Sequence, residues 1–65
     1  MSQCCFGKNL KKIRKEHGLS QKELAKAIKI SPQNICRWER GEAYPQIIWV
    51  YEIAEVLGIE PRELL

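Results

Sequence analysis

Two helix starts lie eleven residues apart in the middle of this 65-residue chain. Ser20 precedes Glu23 by three residues, the spacing of a capping box, in which each side chain bonds the other residue's backbone amide. Ser31 is followed by Pro32, and proline is favoured at the first helical position because its missing N–H has no partner there. The second start limits the helix that begins at Gln21 to about eight or nine residues. We therefore predict two short helices joined by a tight turn.

Further helices flank this pair. Apolar residues recur at helical spacing from Phe6 to His17, and Gly18 supplies the left-handed conformation that ends a helix. A fourth helix is predicted over residues 46–57, and residues 60–65 are predicted as a short fifth helix. No alternating segment is long enough for a strand, so the predicted fold class is an all-α, five-helix domain covering residues 1–65. The predicted buried stripe of the fourth helix consists of Ile47, Val50, Ala54 and Leu57, with Ile53 beside them.

The composition argues against several classes of protein. There is no run of 18 apolar residues that could span a membrane, and no N-terminal apolar segment long enough for a secretory signal. Three cysteines cannot all pair within one chain, and their spacing, with His17 as the single histidine, fits no zinc motif. We interpret them as free thiols of a cytoplasmic protein, with a redox switch or an intermolecular bridge as the alternatives. The chain has no evident carboxylate pair, activated nucleophile or phosphate loop, so neither an enzyme, a cofactor nor a small-molecule ligand is predicted.

The charges are divided unevenly along the chain. Residues 1–40 carry ten Lys and Arg against three Glu, a net charge of +7, whereas residues 41–65 carry one Arg against five Glu, a net charge of −4. Such an asymmetry is compatible with a surface that faces phosphates. An ordinary solvated helical face explains the charge alone equally simply, so the charge needs support from a motif.

The middle of the chain supplies a more specific pattern. Counting from Gln21, apolar residues occupy positions 4, 8, 10, 15 and 18, and the small Ala25 stands at position 5, where two helices cross closely. The chain also contains Leu10-x-x-Ile13-Arg14-x-x-x-Gly18-Leu19-Ser20-Gln21, Leu24-Ala25, Ile35-x-x-Trp38-Glu39-x-Gly41, Pro45 and Ala54-x-x-Leu57-Gly58-Ile59. Over residues 6–65 this combination resembles the Cro and phage-repressor type of helix-turn-helix regulators. The resemblance implies a domain that binds double-stranded DNA and is not an enzyme.

The resemblance also implies which residues contact DNA. The third helix enters the major groove, and Pro32, Gln33 and Arg37 match the positions that contact base edges. Gln33 can bond adenine and Arg37 can bond guanine, whereas Pro32 can only pack on a thymine methyl or start the helix. The glutamine that matches Gln21 bonds the DNA backbone in the family and braces the first residues of the third helix. The predicted contacts to the DNA backbone are Ser20, Gln21, Lys22, Asn34 and Arg40. The lysines of the first helix, which the family sets away from the groove, are interpreted as a solvated face: Lys8, Lys11, Lys12 and Lys15.

Three positions are assigned to the scaffold rather than to DNA. Arg14 and Glu39 match a pair that in the family forms an internal ion pair between the first and third helices. The family usually has glycine at the position of Lys29, because the backbone there takes a positive φ. That conformation costs another residue about 1 kcal/mol. We therefore predict a buried ion pair and a left-handed turn at Lys29.

The fourth helix carries more apolar residues than one buried face requires. Ile48, Trp49 and Tyr51 fall outside the predicted stripe, and exposed tryptophan and isoleucine usually mark a protein interface. The sequence thus predicts a homodimer through Ile48, Trp49 and Ile59, with coverage by the chain's own termini as the alternative. A dimer would place two recognition helices about 34 Å apart, which suits a near-palindromic operator.

The predicted function is a sequence-specific regulator of transcription that acts as a repressor. Two alternatives belong to the same helical fold. One is an antitoxin or the controller protein of a restriction system. The other is a protein-interaction module that uses the apolar face of the fourth helix, although such a module would not need Gln33 and Arg37 beside a basic half of the chain.

Overall fold

The computed structural model describes residues 4–65, and this part of the chain is entirely helical apart from its turns. The all-α class is confirmed with four α-helices, and the predicted fifth helix is not confirmed. Residues 61–63 form a single 3-10 turn instead, because the backbone bonds after Glu60 join residues three apart. The elements are α1 (Cys4–Glu16), α2 (Gln21–Ala27), α3 (Pro32–Glu39), α4 (Ile47–Leu57) and the 3-10 turn Pro61–Glu63.

The starts of α2 and α3 have the predicted caps. The Ser20 hydroxyl accepts from the Glu23 backbone N–H at 2.9 Å, and the Glu23 carboxylate accepts from the Ser20 N–H at 2.8 Å. The Ser31 hydroxyl accepts from the Gln33 N–H at 3.2 Å, and Pro32 is the first helical residue. These bonds satisfy amides that have no partner inside the helix, and they set where each helix begins. The predicted state of the Cys4 and Cys5 thiols lies outside the described side chains, which begin at Phe6, whereas Cys36 is a free, half-buried thiol.

Lys29 lies in the turn between α2 and α3 with φ of 63°, the only non-glycine residue of positive φ within residues 4–65. The cause is the end of α2. The Ile30 N–H donates to the Ala25 carbonyl at 2.9 Å, which reverses the chain over the last helical turn and requires a left-handed residue between them. Positive φ at Gly18, Gly41 and Gly58 follows the ends of the other three helices.

The helices close around one apolar core, and α1 crosses α3 at a very short distance. A Cβ atom on Gly7 would lie 2.5 Å from the Trp38 carbonyl oxygen and 2.9 Å from that of Glu39. Only glycine therefore allows α1 to approach the C-terminal end of α3 so closely. The core consists of Phe6, Leu10, Leu24, Ala25, Ile28, Ile35, Trp38, Val50, Ile53, Ala54, Leu57 and Leu64.

The buried side of α4 differs from the predicted stripe at its first residue. Ile47 is 57 % exposed, and burial begins only with Val50, one turn further along the helix. Ile47 is the first residue of α4 and lies about 10 Å before Ala54 along the helix axis, at the exposed end of the helix. The prediction for Trp49 is also corrected: the sequence placed it outside the buried stripe, but its side chain is half-buried and packs against the core.

No helix within residues 4–65 is long and apolar enough to cross a bilayer.

Replacing Lys29 by glycine should stabilise the protein. Glycine adopts the left-handed conformation without the clash that costs lysine about 1 kcal/mol, so Lys29→Gly should raise the melting temperature by about 4–8 °C. Thermal unfolding followed by circular dichroism measures the change. Lys29→Ala is the control and should show no such gain, because alanine keeps the Cβ. An unchanged melting temperature in Lys29→Gly would contradict strain at this turn.

Candidate nucleic-acid interface

The Glu39 carboxylate joins three helices through hydrogen bonds. Arg14 of α1 donates from Nε to Glu39 Oε2 at 2.6 Å and from Nη2 to Oε1 at 3.1 Å. The Arg14 Nη1 group donates to the Leu19 carbonyl at 2.7 Å, before α2 begins. Both side chains are almost fully buried, at 7 % and 3 % exposure. The paired geometry gives each charge its partner, and no buried side-chain nitrogen or oxygen of the described residues lacks a hydrogen bond.

Gln21 extends this network to the first residue of α2. Its Nε2 group donates to Glu39 Oε1 at 2.9 Å. The resemblance implied a brace on the first residues of the third helix, but the bond instead reaches the last residue of α3. Gln21 thereby holds the start of α2 against the end of α3, and its half-buried side chain lies at the edge of the surface where the two helices meet.

The outer face of α3 carries the predicted base contacts. Pro32, Gln33 and Arg37 are all exposed, opposite the buried Ile35 and Trp38. Both side chains face solvent, and among residues 4–65 Arg37 takes part in neither salt bridge, so the two side chains can reach another molecule. Arg37 is four residues after Gln33, which places the two side chains one above the other on the same face.

The residues predicted to contact the DNA backbone differ in their exposure and in the hydrogen bonds they already make. Ser20 and Lys22 are exposed at the start of α2, although the Ser20 hydroxyl already serves as a cap. Asn34 is half-buried in the first turn of α3. Sequence reasoning missed Lys26, which is exposed on α2 four residues after Lys22 and adds a second cation to that face. Its i, i+4 spacing was the signal for it.

Arg40 follows the last residue of α3 and is partly engaged by its neighbours. Its Nη1 group donates to Cys36 Sγ at 3.8 Å, and its Nη2 group lies 3.0 Å from a Glu42 carboxylate oxygen. The hydrogen bond to Cys36 and then the Glu42 charge raise the pKa of Arg40 above its ordinary value, so the guanidinium remains charged. The Glu42 carboxylate would have to give way for Arg40 to bond a phosphate with its full set of donors.

The predicted dimer residues are only partly on the surface. Ile48 is 56 % exposed, whereas Trp49 and Ile59 are half-buried against the core. Sequence reasoning missed two other members of this surface, Tyr44 and Ile47, which are 54 % and 57 % exposed. Tyr44 stacks at a tilt on Phe6, with ring centroids 5.4 Å apart. We call Tyr44, Ile47, Ile48 and Tyr51 the apolar patch.

Among residues 4–65 no three His, Cys, Asp or Glu side chains come together in a way that could hold a metal ion. His17 is exposed at the end of α1, where its Nδ1 atom lies 2.9 Å from the Ile13 carbonyl. The site is therefore built from exposed amides and cations on a rigid helical support.

Comparison with known proteins agrees with this geometry. A model of the helix-turn-helix family matches residues 10–64. An HTH-type transcriptional regulator of Sinorhizobium fredii, y4dJ, is 37 % identical over 59 residues, covering 91 % of this chain and 77 % of the relative. DicA, an HTH-type transcriptional regulator of Escherichia coli, is 34 % identical over 92 % of this chain and 44 % of its own length.

Solved structures show the same arrangement of helices. The restriction-modification controller protein C.AhdI of Aeromonas hydrophila superimposes with a TM-score of 0.92 at 33 % identity, covering 98 % of this chain and 97 % of the other. A helix-turn-helix regulator of Vibrio cholerae superimposes with a TM-score of 0.87 at 29 % identity, covering 95 % of this chain and 35 % of the other. This chain belongs to the helix-turn-helix family of the Cro and phage-repressor type.

Loss of Arg14 should destabilise the protein strongly. Arg14→Ala leaves the Glu39 carboxylate buried without its main partner, so the free energy of unfolding should fall by about 3–5 kcal/mol. Chemical denaturation measures this loss, which approaches the whole stability of a domain this small. Glu42→Gln is the matched control, because it breaks an exposed pair and should change the stability little. A fully stable Arg14→Ala protein that no longer binds DNA would instead place Arg14 in the DNA contact.

Proposed function

We propose that this transcriptional regulator binds its operator by inserting α3 into the major groove of double-stranded DNA. The proposal rests on the difference between the buried inner side and the exposed outer side of α3. Its inner side is held by the core and by Glu39, and its outer side presents the exposed Gln33 and Arg37. Side chains on such a fixed helix can distinguish bases, since glutamine suits adenine and arginine suits guanine in the major groove.

The backbone contacts supplement these base contacts. We propose that these contacts come from the start of α2, from α3 and from the residue after it: Ser20, Gln21, Lys22, Asn34 and Arg40. Contacts of this kind set the register and the affinity rather than the choice of sequence. A domain seated in the groove excludes other proteins from the same DNA, so we propose repression as its mode of action. Because such a regulator acts where the chromosome lies, we also propose a cytoplasmic location.

The controller of a restriction system is a second candidate within the same function. The specific observation in its favour is the match to C.AhdI, which covers 97 % of that protein with a TM-score of 0.92. The two candidates differ in the gene that is controlled, and not in how the domain would bind DNA.

We also propose that two copies act together. The apolar patch exposes two isoleucines and two tyrosines near the start of α4, and Trp49 and Ile59 are half-buried against the core. Burial of such a patch against a second copy would remove it from water. A two-fold dimer presents two recognition helices about 34 Å apart, one turn of B-DNA, and would bind a near-palindromic operator.

Selection from random duplex DNA at about 100 mM salt tests the proposed DNA binding. We expect the reduced protein to enrich a palindrome whose half-sites are about ten base pairs apart. Arg37→Ala should then weaken binding by about 1–3 kcal/mol for each half-site, the equivalent of about 5- to 150-fold per half-site, and relax the preference at one base pair of each half-site. Val56→Ala, a change on an exposed residue of α4, is the control and should leave the site unchanged. A folded protein that enriches no sequence would favour the protein-interaction module.

Disruption of the apolar patch tests the dimer. Ile48→Glu introduces a charge where the two copies would meet, so it should convert the dimer to monomer at micromolar concentration. Sedimentation equilibrium measures the mass. Val56→Glu is the matched control, because Val56 is an exposed apolar residue of the same helix outside the patch. A wild-type protein that sediments as a monomer, or an Ile48→Glu dimer, would contradict an interface here.

A further inference from the structure

An acidic side chain stands at the edge of the surface that we assign to DNA. A Glu42 carboxylate oxygen, Oε2, lies 3.0 Å from Arg40 Nη2, and the Glu42 and Arg40 side chains are exposed at 48 % and 63 %. The Arg40 Nη1 group also donates to Cys36 Sγ at 3.8 Å, one turn back along α3. The Arg40 guanidinium is therefore held between α3 and the loop that follows it, in contact with solvent.

The backbone after α3 fixes the position of Glu42. The Gly41 N–H donates to the Trp38 carbonyl at 3.2 Å, and the Glu42 N–H donates to the Arg37 carbonyl at 2.9 Å. With Gly41 at φ of 77°, these two bonds form a Schellman motif, which turns the chain back over the last turn of the helix. The residue after such a glycine is frequently apolar and packs on the helix. Here it is a glutamate, and it bonds Arg40 instead.

The fold does not need the Glu42 carboxylate. Backbone bonds close the turn after α3, and an exposed ion pair contributes little to stability because solvent screens both charges. For DNA binding the carboxylate is unfavourable, since it places a negative charge where phosphates are expected to lie. The charge of Glu42 is therefore better explained by how this surface binds than by how the chain folds.

Arg40 lies on the outer face of α3, at the end distant from the first base contact. It follows Gln33 by seven residues, which places it within about 20° of Gln33 around the helix axis and about 10 Å further along it. The major groove is about 12 Å wide. A helix whose first turn contacts bases therefore brings Arg40 to the DNA backbone at the edge of the groove, where its ligand is a phosphate.

We propose that Glu42 limits the affinity of the domain for DNA, because its carboxylate competes with a backbone phosphate for the Arg40 guanidinium. This inference rests on the proposed DNA binding. Arginine binds carboxylates and phosphates through the same fork of parallel N–H groups, and here Cys36 and Glu42 engage both terminal nitrogens of that fork. A phosphate contact forms at any base sequence, so Glu42 weakens binding to the operator and to unrelated DNA alike.

A double-mutant cycle tests the competition, with wild type, Glu42→Gln, Arg40→Gln and the double variant as its four proteins. Glutamine keeps the length of the glutamate side chain and removes its charge. Each protein is titrated with the selected operator and with an unrelated duplex of equal length, at salt concentrations from about 50 to 200 mM. Glu55→Gln is the matched control, because Glu55 is exposed on α4 and takes part in neither salt bridge of residues 4–65. Chemical denaturation checks that every variant is folded.

We expect Glu42→Gln to bind both duplexes about 3- to 10-fold more tightly than wild type at about 100 mM salt, because Arg40 gains a phosphate and one repulsive charge is lost. Its affinity should also fall more steeply with salt, by up to about one phosphate contact. In the Arg40→Gln background the same change should have less than about a 2-fold effect, because no guanidinium remains to be released. Glu55→Gln should bind like wild type, and the preferred base sequence should be the same in all of these proteins.

Other outcomes would overturn the proposal. Weaker binding of Glu42→Gln would show that Glu42 holds Arg40 in place for DNA rather than competing for it. An equal gain with and without Arg40, or an equal gain in Glu55→Gln, would show an effect of overall charge. If no operator is selected, the proposed sequence specificity has failed, but the cycle on the unrelated duplex still decides the competition. A folded protein that binds neither duplex would reject the proposed DNA binding, and this inference with it.

Discussion

The Glu39 carboxylate accepts hydrogen bonds from two helices while it belongs to a third, and the arrangement of the DNA-binding surface depends on it. Arg14 brings α1 to the end of α3, and Gln21 brings the start of α2 to the same point. A buried ion pair contributes little net stability over an apolar replacement, but it is costly to break. Its role here is geometric, because only one arrangement of the three helices satisfies all of these donors and acceptors at once.

The core and the close contact at Gly7 act together with this network. The core determines how far apart the helices are, and the absence of a side chain at Gly7 allows α1 to lie against the backbone of α3. Rotation of α3 about its axis would expose Ile35 and Trp38 and break the bonds to Glu39. The outer face of α3 therefore has a defined direction before any DNA is present, which limits the ordering cost of binding.

Local signals in the sequence predicted the secondary structure well, and the tertiary details less well. The caps at Ser20 and Ser31 follow from residue types within a few positions, so they were predictable, whereas the left-handed Lys29 was predicted only from the resemblance, because lysine itself disfavours a positive φ. The positions of Ile47 and Trp49 depend on which neighbouring elements reach the start of α4, which helical periodicity does not contain. Gly7 was missed for the same reason, because its importance lies in a backbone thirty residues further along the chain. The roles on DNA came from the resemblance, and they stay predictions.

The inner and outer faces of α3 have separate roles, and this separation affects how such a protein can diversify. Ile35, Trp38 and Glu39 hold the fold together, whereas Gln33 and Arg37 take no part in its core or its ion pairs. Substitutions on the outer face are therefore nearly free of consequences for folding. Gene duplication followed by changes at a few outer positions could direct copies of this domain to new operators, with the scaffold inherited intact. The same separation makes α3 a suitable place to graft the base preferences of one regulator onto another.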